Sequence, residues 1–273
     1  MYFLRLLGRA LVLWFRRGAD ESAAALAYFM PFALTPLIIL SISIVGIMYG
    51  SERITNMLIR WGNTIDPGVT DLIYSAVTNF DSVATHYYLP IIGLVFLSLM
   101  IFIALNSLTI GFHKLWGVEI YGWRSYISRF WRITLFVLVV QCYFVALMLL
   151  EDILAFAFSV TGGTIWPVLS FFASFLLTML LLTIAYGLLA LRAPSFSGRF
   201  LGAAVAGLFL LFSRELVAFH FATAPVQTLF GAAGLLITLL VWVYVAASVI
   251  LYGAAFAFVY DEAKMGRGLK PQK

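Results

Sequence analysis

Long apolar stretches follow one another along this chain, and the charged residues lie almost entirely in the gaps between them. Hydrophobic residues make up 63% of the 273 residues, and charged residues only 11%. A soluble domain of this length needs more charge to cover its surface, so lipid must surround most of the chain. Because backbone groups in lipid have to be satisfied within their own segment, we predict one all-α membrane domain over residues 1–273.

Six stretches are long and apolar enough to cross a bilayer as helices, since a span needs about 20 residues. They are residues 23–48, 89–112, 133–150, 166–191, 201–221 and 231–260. The predicted fold class is therefore a polytopic membrane protein with six transmembrane helices.

Lysine and arginine are distributed unevenly between the two sides of this predicted bundle. Of the 17 basic residues, only Arg53 and Arg60 fall in outer loops, and Arg214 lies inside a span. All others lie in the N-terminal segment, the tail, or the loops after spans two and four. Such loops stay on the cytoplasmic side, so both termini are predicted to be cytoplasmic.

Two regions outside the spans show helical periodicity. Three arginines share one face of residues 3–17, and four apolar residues lie on the opposite face. This pattern predicts a helix that lies in the membrane interface. The alternative is a loose basic tail. These residues are Arg5, Arg9 and Arg16, and Phe3, Leu7, Leu11 and Trp14. In the first outer loop, two apolar periodicities and the helix start at Asp66-Pro67 predict two short amphipathic helices.

Several short strings resemble the YihY/BrkB family of bacterial inner-membrane proteins, which was formerly labelled ribonuclease BN. They are AAALAYF at 23–29, ALTPL at 33–37, KLWGV at 114–118, FGAAG at 230–234, WVY at 242–244 and LYGA at 251–254. The resemblance implies the inner membrane as location and a transporter-like or lipid-related role. It implies no particular reaction.

The chain departs from the family's pattern at two positions. Many members have Asn where this chain has His113, and many have Glu where it has Ala255. If that glutamate carries a coupling ion in other members, this chain lacks the group, which argues against a proton-coupled mechanism.

The adjacent charged residues Arg214 and Glu215 lie about 20 Å into the fifth predicted span, where a charge is costly. One interpretation is an anion-binding arginine that lines a cavity; the other is an arginine whose side chain reaches out to the interface. His220, near the outer end of the same span, is either a proton relay or an interfacial residue.

Other polar features complete the candidate substrate site. Pro36, like Pro31, breaks the first span and frees a backbone carbonyl, which either binds a ligand or is satisfied by neighbours. Trp242 lies on the sixth span, near the proposed cavity. Asn106 is also a candidate, although interhelical hydrogen bonding accounts for it better.

Small residues at a spacing of four permit close helix contact in the last two spans. Packing within one chain explains them better than dimerisation. The pairs are Gly202 with Ala206, Ala203 with Gly207, and Gly253 with Ala257.

The chain contains no nucleotide-binding, metal-binding or nucleophile motif, and no basic stripe for nucleic acid. We therefore expect no enzyme activity, no cofactor and no metal. The first hypothesis is a transporter or flippase-like protein for a small anionic solute or a lipid. The alternatives are a non-transporting envelope-integrity or assembly factor and, far behind, a membrane ribonuclease. The expected partners are membrane lipids and an unidentified solute or lipid substrate.

Overall fold

A computed structural model describes residues 2–33, 88–118, 123–161, 165–223 and 232–265. Throughout these residues the chain is helical or in short turns, without a β-strand. The helices are α1 (Tyr2–Arg16), α2 (19–33, as far as it is described), α3 (Tyr88–Trp116), α4 (Trp123–Thr161), α5 (Ile165–Leu188), α6 (Phe196–Thr223) and α7 (Ala232–Lys264). The all-α prediction is confirmed for this part of the chain.

Five of these helices contain segments that are long and apolar enough to cross a membrane. The segments are Ser98–Trp116, Trp123–Leu147, Val168–Leu188, Phe196–Ser213 and Leu236–Lys264. They correspond to predicted spans two to six, so the chain is a polytopic helical membrane protein. The first predicted span, 23–48, lies mostly outside the described residues, as do Pro36 and the outer-loop helices, and these remain predictions.

The third span begins earlier than the sequence predicts. The prediction starts at residue 133, whereas α4 begins at Trp123. The prediction stopped there because Arg124, Arg129 and Arg132 interrupt the apolar run. In the structure these arginines lie on the first three turns of α4, so they do not belong to a loop.

The described chain divides into two compact units. The first comprises residues 1–24, 106–213 and 245–273, and the second comprises residues 25–105 and 214–244. In the second unit, the ring centroids of Tyr28 and Phe29 lie 5.1 Å apart in an edge-to-face contact. The Thr238 hydroxyl donates a hydrogen bond of 2.8 Å to the Gly234 carbonyl. All remaining contacts described below lie within the first unit.

Helices α6 and α7 approach closely through glycine. A Cβ atom added at Gly253 would lie 2.6 Å from Ala206 Cβ and 2.6 Å from the Gly202 carbonyl oxygen, which no real Cβ tolerates. The predicted small-residue contact is therefore confirmed, and it is made within one chain. Tyr186 on α5 closes the same contact by donating to the Ile250 carbonyl at 2.8 Å.

Helix α3 ends in a glycine cap. Gly117 has a φ of 63°, and Val118 N donates to the His113 carbonyl at 2.9 Å. This geometry ends a helix by satisfying its last carbonyls, and it suits glycine because a side chain in that conformation is strained. The Arg17 guanidinium donates to the neighbouring Lys114 carbonyl at 3.1 Å. The end of α3 is therefore held by the turn after α1.

Candidate anion-binding site

A buried arginine joins α3 and α4. Arg129 Nη1 donates to Asn106 Oδ1 at 2.9 Å, and its guanidinium carbon lies 4.8 Å from the centre of the Tyr126 ring. Arg129 shares the buried face of α4 with Ile133 and Phe136, four and seven residues further on. Because that spacing is the helical repeat, the backbone directs the arginine into the protein.

The charge of Arg129 has no counterion among the described residues. Only 5% of the residue is exposed, and no described carboxylate forms an ion pair with it. Its Nε has no hydrogen-bond partner in the described structure either. A buried charge is normally paired, since leaving it alone costs several kcal/mol. The site therefore has the chemistry to hold an anion.

This guanidinium lies inside a candidate span but near one end of it. Arg129 is six residues, or about 9 Å, from the start of α4 at Trp123, and its partner Asn106 is about 15 Å from the end of α3 at Trp116. One turn further along α4, Arg132 bonds to carbonyls at the end of α5. A charge inside a span is costly to insert, so such residues are candidates for ion or substrate sites.

A second set of basic residues binds the loop between α5 and α6. His113 Nε2 accepts from Leu191 N at 3.0 Å, and Arg132 Nη1 donates to the Ala190 carbonyl at 2.5 Å. The ring nitrogen Nδ1 of His113 is buried without a described partner. His113 and Arg132 lie on α3 and α4, the same two helices that carry Asn106 and Arg129.

The start of α6 is fixed by an acidic residue from α7. Ser195 N donates to Asp261 Oδ2 at 3.0 Å, and the Ser195 hydroxyl donates to Oδ1 of the same carboxylate. The hydroxyl also accepts from Gly198 N at 3.3 Å, as a helix-capping serine does. Asp261 therefore has a structural partner and does not neutralise Arg129.

The sequence-predicted site residues are only partly described. Arg214, Glu215 and His220 lie on α6, but their side chains fall outside what the structure describes. Trp242 is half-buried in the second unit. Asn106 makes an interhelical hydrogen bond, to Arg129, which is the role that the sequence favoured for it. Whether these residues share a cavity stays a prediction.

Arg129 was missed because it was assigned to a cytoplasmic loop. Its signal was present in the sequence, since Arg129, Ile133 and Phe136 follow one helical face. Within the described residues, no group of three or more His, Cys, Asp or Glu side chains is arranged to hold a metal ion.

The string KLWG at 114–117 has a packing role at each position. Lys114 pairs with Glu21 at 3.3 Å, Leu115 is fully buried, and Gly117 forms the helix cap. Trp116 Nε1 donates to the Ala254 carbonyl at 2.9 Å, which joins this string to LYGA at 251–254. These strings therefore hold α2, α3 and α7 together at one end of the unit.

The profile of the virulence factor BrkB family matches residues 14–273, nearly the whole chain. The chain belongs to this family. BrkB membership confirms the resemblance seen in the short strings. Among solved structures, none matches the chain.

Three BrkB-like relatives, each named UPF0761 membrane protein, show how far the similarity extends. The protein of Coxiella burnetii is 26% identical over 252 residues, covering 89% of this chain and 88% of its own length. That of Actinobacillus pleuropneumoniae is 25% identical, covering 93% and 94%. That of Alcanivorax borkumensis is 25% identical over 87% of this chain, but the chain spans only 56% of its length.

The two positions at which the resemblance implied departures are both buried. His113 is 2% exposed and accepts a hydrogen bond from Leu191 N. Ala255 is fully buried on α7, next to Ala254, whose carbonyl receives Trp116. The side chain of His113 therefore has a structural partner, while that of Ala255 offers no polar group.

Proposed function

We propose that this BrkB family member is a transporter or flippase-like protein of the bacterial inner membrane that moves a small anionic solute or an anionic lipid. The observation that supports it is Arg129, a buried guanidinium without a described counterion, within the candidate span Trp123–Leu147. An anion that occupies this site gains a charge-assisted hydrogen bond in a medium of low dielectric constant. No step of the proposal requires catalysis or a cofactor.

The test uses purified full-length protein in liposomes with two probes. Translocation of fluorescent phosphatidylglycerol is measured by dithionite reduction, and uptake of inorganic phosphate is measured with radiolabel. We expect the wild type to move one probe and Arg129→Gln to slow it at least tenfold. Arg124→Gln, which alters an exposed arginine on the same helix, is the control and retains the rate. A wild type that moves neither probe, or an Arg129→Gln variant with an unchanged rate, contradicts the proposal.

A second variant separates anion binding from helix locking. Asn106→Ala removes the internal partner of Arg129 but leaves the guanidinium in place. If Arg129 binds the transported anion, Asn106→Ala keeps most of the rate while Arg129→Gln does not. If the hydrogen bond between Arg129 and Asn106 only holds α3 against α4, both variants lower the melting temperature by similar amounts. In that case the two variants also change the transport rate to the same extent.

The packing role of the KLWG and LYGA strings favours a second candidate function, a non-transporting envelope-integrity or assembly factor. Close glycine contacts and a satisfied hydrogen bond build a rigid unit, and transport does not require them. This candidate predicts that the wild type passes neither probe and co-purifies with a defined envelope partner. A partner that binds the wild type but is lost in a Lys114→Ala/Glu21→Ala variant would support it.

A further inference from the structure

Helix α1 has three distinct faces. Leu6, Ala10 and Leu13 are buried against the protein. A second face exposes large apolar side chains, and a third exposes arginines. The exposed apolar residues are Leu4 (70%), Leu11 (47%), Val12 (57%) and Phe15 (62%), and the exposed arginines are Arg5, Arg9 and Arg16.

The angular spacing of these faces is regular. At 100° per residue, the centres of the apolar and arginine faces lie about 100° apart, and the buried face takes up the remaining side of the helix. None of the three arginines has a hydrogen bond or ion pair to any residue that the structure describes. Two sides of α1 are therefore available to a partner that is apolar in one direction and anionic in the next.

The contacts of α1 show that it crosses α7. The Phe3 ring lies 5.4 Å from the Phe256 ring, and the Tyr252 hydroxyl donates to the Leu7 carbonyl at 3.1 Å. After the end of α1, the Arg17 guanidinium lies 5.9 Å from the Phe258 ring. Phe3 and Arg17 are fourteen residues apart, about 21 Å along a helix, but their partners on α7 are only two residues apart, about 3 Å, so α1 lies across α7.

The crossing point lies at an interfacial depth. Residues 252–258 precede the charged end of α7, at Asp261, by three to nine residues, which is about 5–14 Å along the helix. Helices that lie in a membrane surface insert their apolar side about 5–10 Å into the boundary between head groups and acyl chains. Both the orientation and the depth of α1 match that boundary.

We infer that the exposed faces of α1 form a binding surface for anionic phospholipid, with Leu4, Leu11 and Phe15 in the acyl region and the arginines on lipid phosphates. Charge complementarity supplies the selectivity, because each basic residue near an anionic surface strengthens binding severalfold. This inference concerns how the N-terminal helix binds the membrane surface, and it does not depend on whether Arg129 binds a transported anion.

The main test compares lipid binding by the full-length protein in detergent, measured by native mass spectrometry with phosphatidylglycerol and phosphatidylcholine. The triple variant Arg5→Gln/Arg9→Gln/Arg16→Gln is expected to lose phosphatidylglycerol affinity by on the order of a hundredfold, with phosphatidylcholine unchanged. The control Arg124→Gln/Arg192→Gln removes two exposed arginines elsewhere and keeps the affinity within about threefold. Equal affinities in the triple variant and the wild type would overturn the inference.

A second measurement checks the depth of α1 in nanodiscs. A spin label at Leu11→Cys, in a Cys142→Ser background because Cys142 is exposed, is expected just below the head groups. A label at Leu180→Cys, exposed in the middle of the α5 span, gives the acyl reference. A Leu11 label that is fully accessible to water would contradict the inference. So would a disulfide between the introduced cysteines of two copies of the chain, because it would show that α1 contacts a second copy.

Discussion

Trp116 Nε1 donates a hydrogen bond of 2.9 Å to the backbone oxygen of Ala254, and both residues are buried. The bond joins the last turn of α3 to a residue of α7 that lies ten positions before the end of that helix. The Trp116 ring also stacks on the Phe112 ring, with 5.4 Å between the ring centroids, and makes an edge-to-face contact with the Tyr186 ring at a centroid distance of 6.4 Å. One indole therefore connects three helices that are far apart in the sequence.

Replacing this indole should destabilise the protein. Trp116→Phe keeps an aromatic ring but removes the donor, and loss of a buried hydrogen bond costs about 1–3 kcal/mol. We expect a lower melting temperature in detergent, measured by intrinsic fluorescence or light scattering. The control is Trp123→Phe, since Trp123 is 77% exposed at the start of α4. Equal melting temperatures for the two variants would show that the bond contributes nothing to stability.

The sequence predicts helices well where apolar residues run on without interruption. Predicted spans 166–191 and 231–260 differ from the helices Ile165–Leu188 and Ala232–Lys264 by a few residues at each end. The small-residue contact of Gly253 was also predictable, because spacing by four places small residues on one helix face.

The start of α4 and the role of Arg129 were not predictable from local composition. An arginine counts against a membrane helix, and Arg129 is accommodated by Asn106, which is 23 residues earlier on another helix. Likewise, the acceptor role of His113 depends on the Leu191 backbone, 78 residues away. Such partners become visible only when the helices are packed together.

Two glycine substitutions should have opposite effects. Gly253→Ala places a Cβ where Ala206, Gly202 and the Tyr186 hydroxyl already lie, all at 2.6 Å, so overpacking should lower the free energy of unfolding by about 1–3 kcal/mol or more. Gly8→Ala meets no atom within 4 Å and should raise stability by about 0.5–1 kcal/mol, because alanine favours the helix. Unfolding of both variants in mixed detergent micelles measures the difference. A stabilised Gly253→Ala protein would mean that α6 and α7 are not in close contact.

The carboxylate of Asp261 should contribute to the stability of the protein, because it is buried and accepts two hydrogen bonds from Ser195. Asp261→Ala removes both acceptors of Ser195, and hydrogen bonds to a charged group are worth about 1.5–3 kcal/mol each. Asp261→Asn keeps one acceptor and should cost less. Asp20→Ala is the control, since Asp20 has no described partner and only favours the start of α2, an effect of about 0.3–1 kcal/mol. The melting temperature should therefore be lowest for Asp261→Ala, higher for Asp261→Asn, and nearest to the wild type for Asp20→Ala. Any other order would show that the hydrogen bonds between Ser195 and Asp261 do not stabilise the protein.

The number of spans can be decided by the position of the two termini. The structure describes five candidate spans, and α2 begins at residue 19, four residues before the predicted first span. If residues 23–48 cross the membrane, the count is six and both termini lie on the same side; if they do not, the termini lie on opposite sides. Because the N-terminal segment and the tail are both basic, we expect the cytoplasmic side for each. Fusions of green fluorescent protein to either terminus should fluoresce, and alkaline phosphatase inserted between residues 50 and 86 should be active. Phosphatase activity at one terminus would reduce the count to five and leave residues 23–48 on one side of the bilayer.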